Sequence, residues 1–341
     1  MKVIERLYKL RRKFKSSVVA MGTFDGVHCG HQQVIKTTQD VARRHGRTSV
    51  VVTFQPLPRA IIGKEREKVG LITTLKQKEE IIRNLGIDAM LVIHFNRKFA
   101  QVKPEEFVNR VIYKRISAGR VVVGPGFRFG KNRLGNVALL KRLGRKYGFE
   151  VTIVSEVKIG NIKVSSSKIR QLLWQGKIEM AGRLLGRYYS ISGRVKKGSG
   201  RGKVLSFPTA NLDISGDVIL PQGVYAVVVS LKGKKHMGVA NIGTRPTFSP
   251  ALRCLPGKVT RKYIRPIVEV YIFNFKGNLY RQKLDIFLIK RIRKEMKFPT
   301  PEKLMNRIKK DIRFTKKLRS GLPLLKSRGK RSAKAEGFLG V

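Results

Sequence analysis

The sequence predicts an α/β domain on a parallel sheet, followed by a domain of consecutive strands closed off by one helix. Three observations carry this. From Ser17 to about Leu185, short β-branched runs alternate with stretches of helical period. After Gly186, strand patterns follow one another across Gly- and Pro-containing turns, with no helical stretch until Glu302. No apolar run reaches the roughly 18 residues of a membrane span, so the chain reads as globular.

In the first half the candidate strands are Ser17–Met21, Thr48–Phe54, Ala89–Phe95, Arg120–Gly124 and Val151–Glu156. Between them lie the helical stretches Gln32–Arg44, Leu75–Leu85, Pro104–Ile116 and Val137–Tyr147. Strands separated by crossover helices make a parallel sheet, and ligands sit beyond the carboxyl ends of such strands. In the second half Tyr189–Val195, Gly223–Leu231, His236–Ile242, Pro266–Phe275 and Lys283–Ile292 read as strands, and Glu302–Leu318 as the closing helix. Strands without crossovers suggest an antiparallel sheet or a small barrel. The boundary falls near Gly186–Tyr188, giving domains at 1–186 and 187–320 and a basic tail at 321–341. From Arg313 to Lys334 there are nine Lys or Arg and no acid, which predicts a solvated, disordered tail, with an RNA- or membrane-associating arm as the alternative.

Lys plus Arg number 74 against 21 Asp plus Glu, a formal net charge of +53. Such a surface attracts polyanions through counterion release, and fits either a nucleic-acid-binding protein or an enzyme for anionic nucleotides. The cations are spread along most of the chain, which favours a general bias over a dedicated patch. The two cysteines, Cys29 and Cys254, are too few for a disulfide framework and lack metal-site spacing. The basic N-terminus, Met1 to Ser17, lacks the apolar run of a secretory signal. A reduced, cytoplasmic protein is expected.

Two strings concentrate chemistry. Met21–His31 (Met-Gly-Thr-Phe-Asp-Gly-Val-His-Cys-Gly-His) follows the first strand and opens a helix. Gly22, Gly26 and Gly30 let backbone turn and approach a ligand. His28 and His31, three apart, share a face of the first helical turn, where free N–H groups favour phosphate. Val164–Arg170 (Val-Ser-Ser-Ser-Lys-Ile-Arg) offers the hydroxyls of Ser165, Ser166 and Ser167 and the Arg170 guanidinium to anionic oxygens, although a serine run before a helix also serves as an N-cap. In the second half, Gly198–Asn211 places Gly198, Gly200, Gly202, Arg201 and Lys203 in a cationic loop ahead of Phe-Pro-Thr-Ala-Asn. Glu269 is a lone acid among apolar strand residues, on the face opposite Val268 and Val270.

These residues resemble the family of bacterial bifunctional riboflavin kinase/FMN adenylyltransferases over roughly residues 15 to 318. The histidine string is similar to the His-x-Gly-His signature of nucleotidyltransferases, Gly124–Gly130 to the family's flavin- and nucleotide-binding loop, and Pro208–Asn211 to the Pro-Thr-Ala-Asn motif of riboflavin kinases. Asn241–Phe248, Val268–Tyr271 and Arg293–Phe298 resemble later family segments. The resemblance implies a Rossmann-like α/β nucleotidyltransferase domain and a small antiparallel β-barrel riboflavin kinase domain with a C-terminal helix. It implies riboflavin, FMN, FAD, ATP, ADP and pyrophosphate as ligands and Mg²⁺ or another divalent cation as cofactor. His28 and His31 are then catalytic in adenylylation, and Glu269 is the general base of the kinase. Gly22, Phe24, Asp25, Gly30, the three serines, Arg170, Gly198, Gly202 and Lys203 would hold nucleotide or phosphate. Phe54, Pro56, Pro58, Phe127, Arg128, Phe129 and Arg293 would hold flavin, and Thr209 and Asn211 the metal. The chain departs from the family pattern at Gln55, Leu57, Gly126 and Asn136, and more mildly at Ser206, Asn274 and Arg281. The first group allows a second reading with the kinase alone active. A basic nucleic-acid-binding protein on this fold is the third. Ser249–Arg265 matches poorly and is expected to be a mobile loop near the kinase site.

Overall fold

The computed structural model describes residues 1–5, 14, 16–63, 70–197, 207–214, 216–243 and 266–326. The chain divides into two compact units, Met1–Ile169 and Arg170–Val341.

The first unit contains β1 (Lys2–Ile4), β2 (Ser17–Met21), α1 (Cys29–Arg44), β3 (Ser49–Gln55), α2 (Pro58–Ile62), α3 (Leu75–Asn84) and β4 (Ala89–His94). It continues through α4 (Arg97–Ala100), α5 (Pro104–Phe107, running into a π-helical stretch Val108–Ile116), β5 (Ala118–Val123), α6 (Val137–Tyr147) and β6 (Glu150–Ile153). The short hairpin β7 (Lys158–Ile159) and β8 (Ile162–Lys163) then leads to α7 (Ser166–Trp174), which crosses into the second unit. Strands β1 to β6 form one parallel sheet in the order β1-β4-β3-β2-β5-β6. Alternate residues of β2 serve opposite cores. Val18 and Ala20 pack with Val34, Ile35, Val41 and Ile82, whereas Val19 and Met21 pack with Val108, Ile112, Leu140 and Leu143. Both faces are thus covered, as a parallel sheet requires. The chain moves outward from β2 through β3 to β4, then returns to lay β5 on the other side of β2. The reversal puts a topological switch point between β2 and β5, where open α/β sheets bind ligands.

The second unit contains α8 (Ile178–Leu185), β9 (Tyr189–Lys196), β10 (Ala210–Ile214), β11 (Gly223–Leu231), β12 (Lys234–Gly243), β13 (Ile267–Ile272), β14 (Lys283–Arg293), α9 (Pro301–Lys317) and α10 (Pro323–Lys326). Its six strands close into an antiparallel barrel in the order β10-β13-β12-β11-β14-β9. Ile191, Leu212, Tyr225, Val227, Ala240, Ile242, Val268, Val270, Ile286 and Leu288 are all buried and fall on one face in register, which fills the barrel interior. Helix α8 packs on β9 and β14, and α9 on β11 and β12.

Both expected architectures are present, and three local readings are corrected. The three-residue edge strand β1 pairs in parallel with β4, too short to register as a pattern. Strand β10, Ala210–Ile214, sits inside what read as a loop and motif; its pairing with β9 and β13, rather than its composition, makes it a strand. The tail expected to be solvated is structured through Lys326. There Leu322 and Leu324 bury against Val228, Met237 and Ile289, supplying apolar anchors among the cations. Residues 249–265, expected to form a mobile loop, and 327–341 lie outside the described residues.

Candidate active sites

In the first unit the loop between β2 and α1 leaves the sheet at the switch point and is braced from below. The Asp25 carboxylate, 1% exposed, accepts the backbone N–H groups of Ile72 and Thr73 at 3.2 Å, and the Thr73 hydroxyl oxygen accepts the Gly26 N–H at 3.1 Å. Asp25, expected beside the nucleotide, therefore directs its carboxylate into the loop's foundation. Gly26 has φ +84°, and a Cβ there would lie 2.9 Å from Ile72 Cγ2, so the loop requires glycine. Phe24 and Val27 also hold positive φ, of 47° and 38°. A β-branched residue is seldom found there, and such strain collects at functional sites.

His28 is the N-cap of α1. Its Nδ1 accepts the His31 N–H at 3.3 Å, so the ring proton sits on Nε2. The two imidazoles stack with centroids 3.6 Å apart, and Phe24 meets His31 edge-on at 5.2 Å. The paired rings thus stand at the N-terminal end of α1, where free N–H groups favour anions. The serine run joins it. Ser165 caps α7 by accepting the Lys168 N–H at 3.2 Å, and the Ser166 hydroxyl donates to the Asp25 carbonyl at 3.0 Å. This tie brings the N-terminus of α7 to the histidine loop. Ser167 is exposed on the same helix end, and Arg170, four residues beyond Ser166, is buried in the second unit.

Sequence reasoning missed Lys78. Its side chain is 2% exposed and its Nζ donates to the Thr23 carbonyl at 2.8 Å and to Thr53 Oγ1 at 3.3 Å. Thr53 Oγ1 also donates to the Thr23 carbonyl at 2.9 Å. Burial lowers the Lys78 pKa to about 8, against the raising effect of the Asp25 carboxylate. A buried lysine thus fixes the loop between β2 and α1 through its backbone.

Next to this loop the sheet ends in aromatic side chains. Phe54, at the end of β3, contacts Phe95 and Phe99 at centroid distances of 5.9 and 6.3 Å. The chain of rings continues through Phe107 to Phe129, which stacks on Phe127 at 5.5 Å. Phe54, Phe127 and Phe129 were expected at flavin, and the structure links them through Phe95, Phe99 and Phe107. Half-buried Pro56 and Pro58 follow Phe54, and Arg128 is exposed between the two stacked phenylalanines. Among the departures, Asn136 caps α6 by accepting the Leu139 N–H at 2.8 Å, a role an aspartate fills equally. Leu57 is buried, and Gly126 is exposed, with open space where a Cβ would stand.

In the barrel, register assembles the site. Asn211 of β10 lies opposite Glu269 of β13, and Glu269 lies opposite Asn241 of β12. Directly opposed residues in antiparallel strands share a face, and this one is opposite the buried Val268 and Val270. The row extends to Lys196 beside Asn211, and to Val224 and Arg293 beyond Asn241. Arg293 Nε donates to Asp311 Oδ2 of α9 at 2.9 Å, and its guanidinium lies over Phe298, 5.5 Å from the centroid. Arg293, expected at the flavin, is therefore held at the end of the row by the closing helix. Phe207 packs edge-on to Tyr271, 5.6 Å between centroids, and Thr209 is exposed just before β10. Gly198, Gly202 and Lys203, expected at phosphate, and residues 244–248 lie outside the described residues.

The chain matches the FAD synthetase family over residues 10–168 and the riboflavin kinase family over residues 185–319. A bifunctional riboflavin kinase/FMN adenylyltransferase of Buchnera aphidicola subsp. Schizaphis graminum is 36% identical over 319 residues, 93% of this chain and 98% of that protein. The Bacillus subtilis protein of the same name is 36% identical over 316 residues, 91% of this chain and 96% of that one. A crystal structure from Streptococcus pneumoniae, described as a macrolide-efflux protein, superimposes with a TM-score of 0.80 at 28% identity, covering 93% of this chain and 99% of that one. Among the described residues here, no helix is long and apolar enough to cross a membrane.

Proposed function

Because the chain belongs to the bifunctional riboflavin kinase/FMN adenylyltransferase family, we propose how each half carries out its step. The protein is a two-headed transferase of FAD biosynthesis: it phosphorylates riboflavin to FMN and adenylylates FMN to FAD, with ATP as the donor in both reactions.

The observation that carries the residue assignment is the Asn211–Glu269–Asn241 row, which sets the Glu269 position between two asparagines on one face of the barrel. In the kinase, Glu269 accepts the proton of the riboflavin 5′-hydroxyl. That oxygen bonds to the γ-phosphorus of ATP in line, the bond from the γ-phosphorus to the bridging oxygen breaks, and ADP leaves. Lys196, beside Asn211, neutralises the phosphates, and Gly198, Gly202 and Lys203 are proposed to bind them as the family motif implies. Thr209 and Asn211 present a hydroxyl and an amide oxygen, the sparse oxygen ligation that magnesium accepts alongside phosphates and water. One hydroxyl and one amide oxygen make too few ligands for a dedicated protein cage, and the pair suits a cation shared with the nucleotide. Such a cation supplies charge neutralisation at the transferring phosphoryl group.

In adenylylation, an oxygen of the FMN phosphate bonds to the α-phosphorus of ATP, and pyrophosphate leaves with the electrons of the broken bond. His28 offers its Nε2–H, with His31 stacked beside it, to charge developing on the phosphates. The N-termini of α1 and α7, with Ser165, Ser166 and Ser167, hold the triphosphate. Gly22 and Gly30 leave room for it. The Phe54–Phe129 chain of rings, with Pro56, Pro58 and Arg128, receives the isoalloxazine. A cytoplasmic location is proposed for both reactions, since both consume ATP. The +53 charge adds non-specific, salt-sensitive attraction to polyanions.

The test is chromatography of flavins after incubating the purified protein with riboflavin, ATP and Mg²⁺ in moderate salt. FMN is expected first and FAD after it. FMN alone would identify the first unit as impaired at Gln55, Leu57 or Gly126, and neither product would overturn the reading.

A further inference from the structure

We infer that Asn241 is a specificity-determining residue of the kinase: its side-chain amide takes the ribityl hydroxyl next to the one that is phosphorylated. The inference rests on the reading of Glu269 as the proton acceptor.

The row of residues has a direction. At one end Lys196 and Asn211 lie in adjacent register, and β9 and β10 are joined through the Gly-, Arg- and Lys-rich segment 198–206. The Lys196 ammonium and the Asn211 amide on this side suit phosphates. Glu269 comes next, one strand further. In-line phosphoryl transfer places the attacking oxygen between the phosphorus and its own carbon chain. With the phosphorus on the Asn211 side of Glu269, the ribityl chain leaves the 5′-oxygen on the other side. The first side chain in register there is Asn241, about 5 Å along, one strand spacing away. Asn241 is half-buried, flanked along its own strand by Ala240 and Ile242, whose side chains turn into the barrel interior. Its amide carries both a donor and an acceptor, which suits a secondary hydroxyl that both donates and accepts. Val224 and Arg293 follow in the same row, so apolar and planar groups succeed polar ones where the chain gives way to the flavin ring.

The chemistry has a measurable signature in substrate discrimination. A site built to hydrogen-bond a hydroxyl rejects the analogue lacking it, because its own polar group is left unpaired. The experiment compares riboflavin with 4′-deoxyriboflavin as kinase substrates for wild-type protein, Asn241→Ala and Asn241→Ser. The ratio of the two kcat/KM values within one preparation is insensitive to any inactive fraction. Wild-type protein is expected to favour riboflavin by about tenfold or more. In Asn241→Ala the ratio collapses toward one, with most of the loss falling on riboflavin, and Asn241→Ser lies between. An unchanged ratio in both variants, or equal loss on both substrates in both, overturns the inference. Glu269→Gln, run beside them, separates the two layers. If it still phosphorylates riboflavin at the wild-type rate, the assignment of Glu269 itself fails. If it is inactive while the ratio persists in the Asn241 variants, only the role of Asn241 fails.

Discussion

The two sites reach comparable chemistry by opposite construction. In the first unit a contiguous string of eleven residues, Met21–His31, carries the two imidazoles proposed for adenylylation, and distant residues brace it from beneath through Asp25, Thr73 and Lys78. In the barrel the row of described site residues sits on strands. Asn211, Glu269 and Asn241 come from three strands, and the hydrogen-bonded ladder alone sets them side by side. The difference teaches where each site is vulnerable. The loop site depends on buried polar support, whose loss is felt as misplacement. The barrel site depends on register, which the closed barrel and its apolar interior enforce, so its failures come from the functional side chains themselves.

The sharpest break in this comparison is Glu269→Gln. Removing the proton acceptor while keeping size and register is expected to lower FMN formation by about 10²- to 10⁴-fold, with FAD formation from supplied FMN unchanged. Parallel loss of both activities would contradict separate sites. Lys78→Met, which touches only the brace, is expected to slow adenylylation about tenfold, the effect of removing one of the two donors to the Thr23 carbonyl, while riboflavin phosphorylation is kept. Steady-state rates of the two half-reactions on one preparation decide it.

What could be read from the sequence follows the same division. The histidine string was legible because its residues are consecutive and its spacing is local. Glu269 stood out as a single acid in an apolar strand. Asn241 was visible only as part of a family segment, since its partnership with Glu269 spans 28 residues and appears only once β12 and β13 are paired. Strand β10 was hidden behind Pro208 and the glycine-rich stretch before it. Lys78 was hidden by its neighbours, because Lys76, Lys78, Glu79 and Glu80 look like a solvated face. The available signal was periodic: Lys78 falls four residues before buried Ile82, on the apolar stripe of α3. Asp25 was placed at the nucleotide as part of the family string, and its hydrogen bonds to the Ile72 and Thr73 N–H groups appear only once those residues, 47 and 48 positions away, are packed beneath the loop.

Smaller effects refine the picture of the brace. Gly26→Ala forces a side chain into a positive-φ position against Ile72, at a cost of about 1–3 kcal/mol. The unfolding transition of the first unit should fall by several degrees in calorimetry, with that of the barrel unmoved. The pH dependence of stability carries the smallest signal. Lys78 is a base whose pKa falls to about 8 in the folded protein from 10.5. Below pH 8 it is charged in both states and the desolvation penalty is present in full. Between about 8 and 10.5 the unfolded chain holds more protons, so stability rises with pH. The unfolding midpoint of wild-type protein should therefore gain on that of Lys78→Met across this window, and a constant difference would argue against a buried, charged Lys78.

The independence of the two heads is tested most directly by mixing two damaged proteins. Asp25 and Lys78 are left intact, and His28→Ala removes only the imidazole of the first site, while Glu269→Gln removes only the base of the second. Given riboflavin, ATP and Mg²⁺, His28→Ala alone should accumulate FMN, and Glu269→Gln alone should leave riboflavin unchanged. Mixed in one tube they should make FAD, because FMN released by one chain is adenylylated by the other. Failure of the mixture, with each variant folded and His28→Ala still producing FMN, would contradict two self-sufficient sites on one chain.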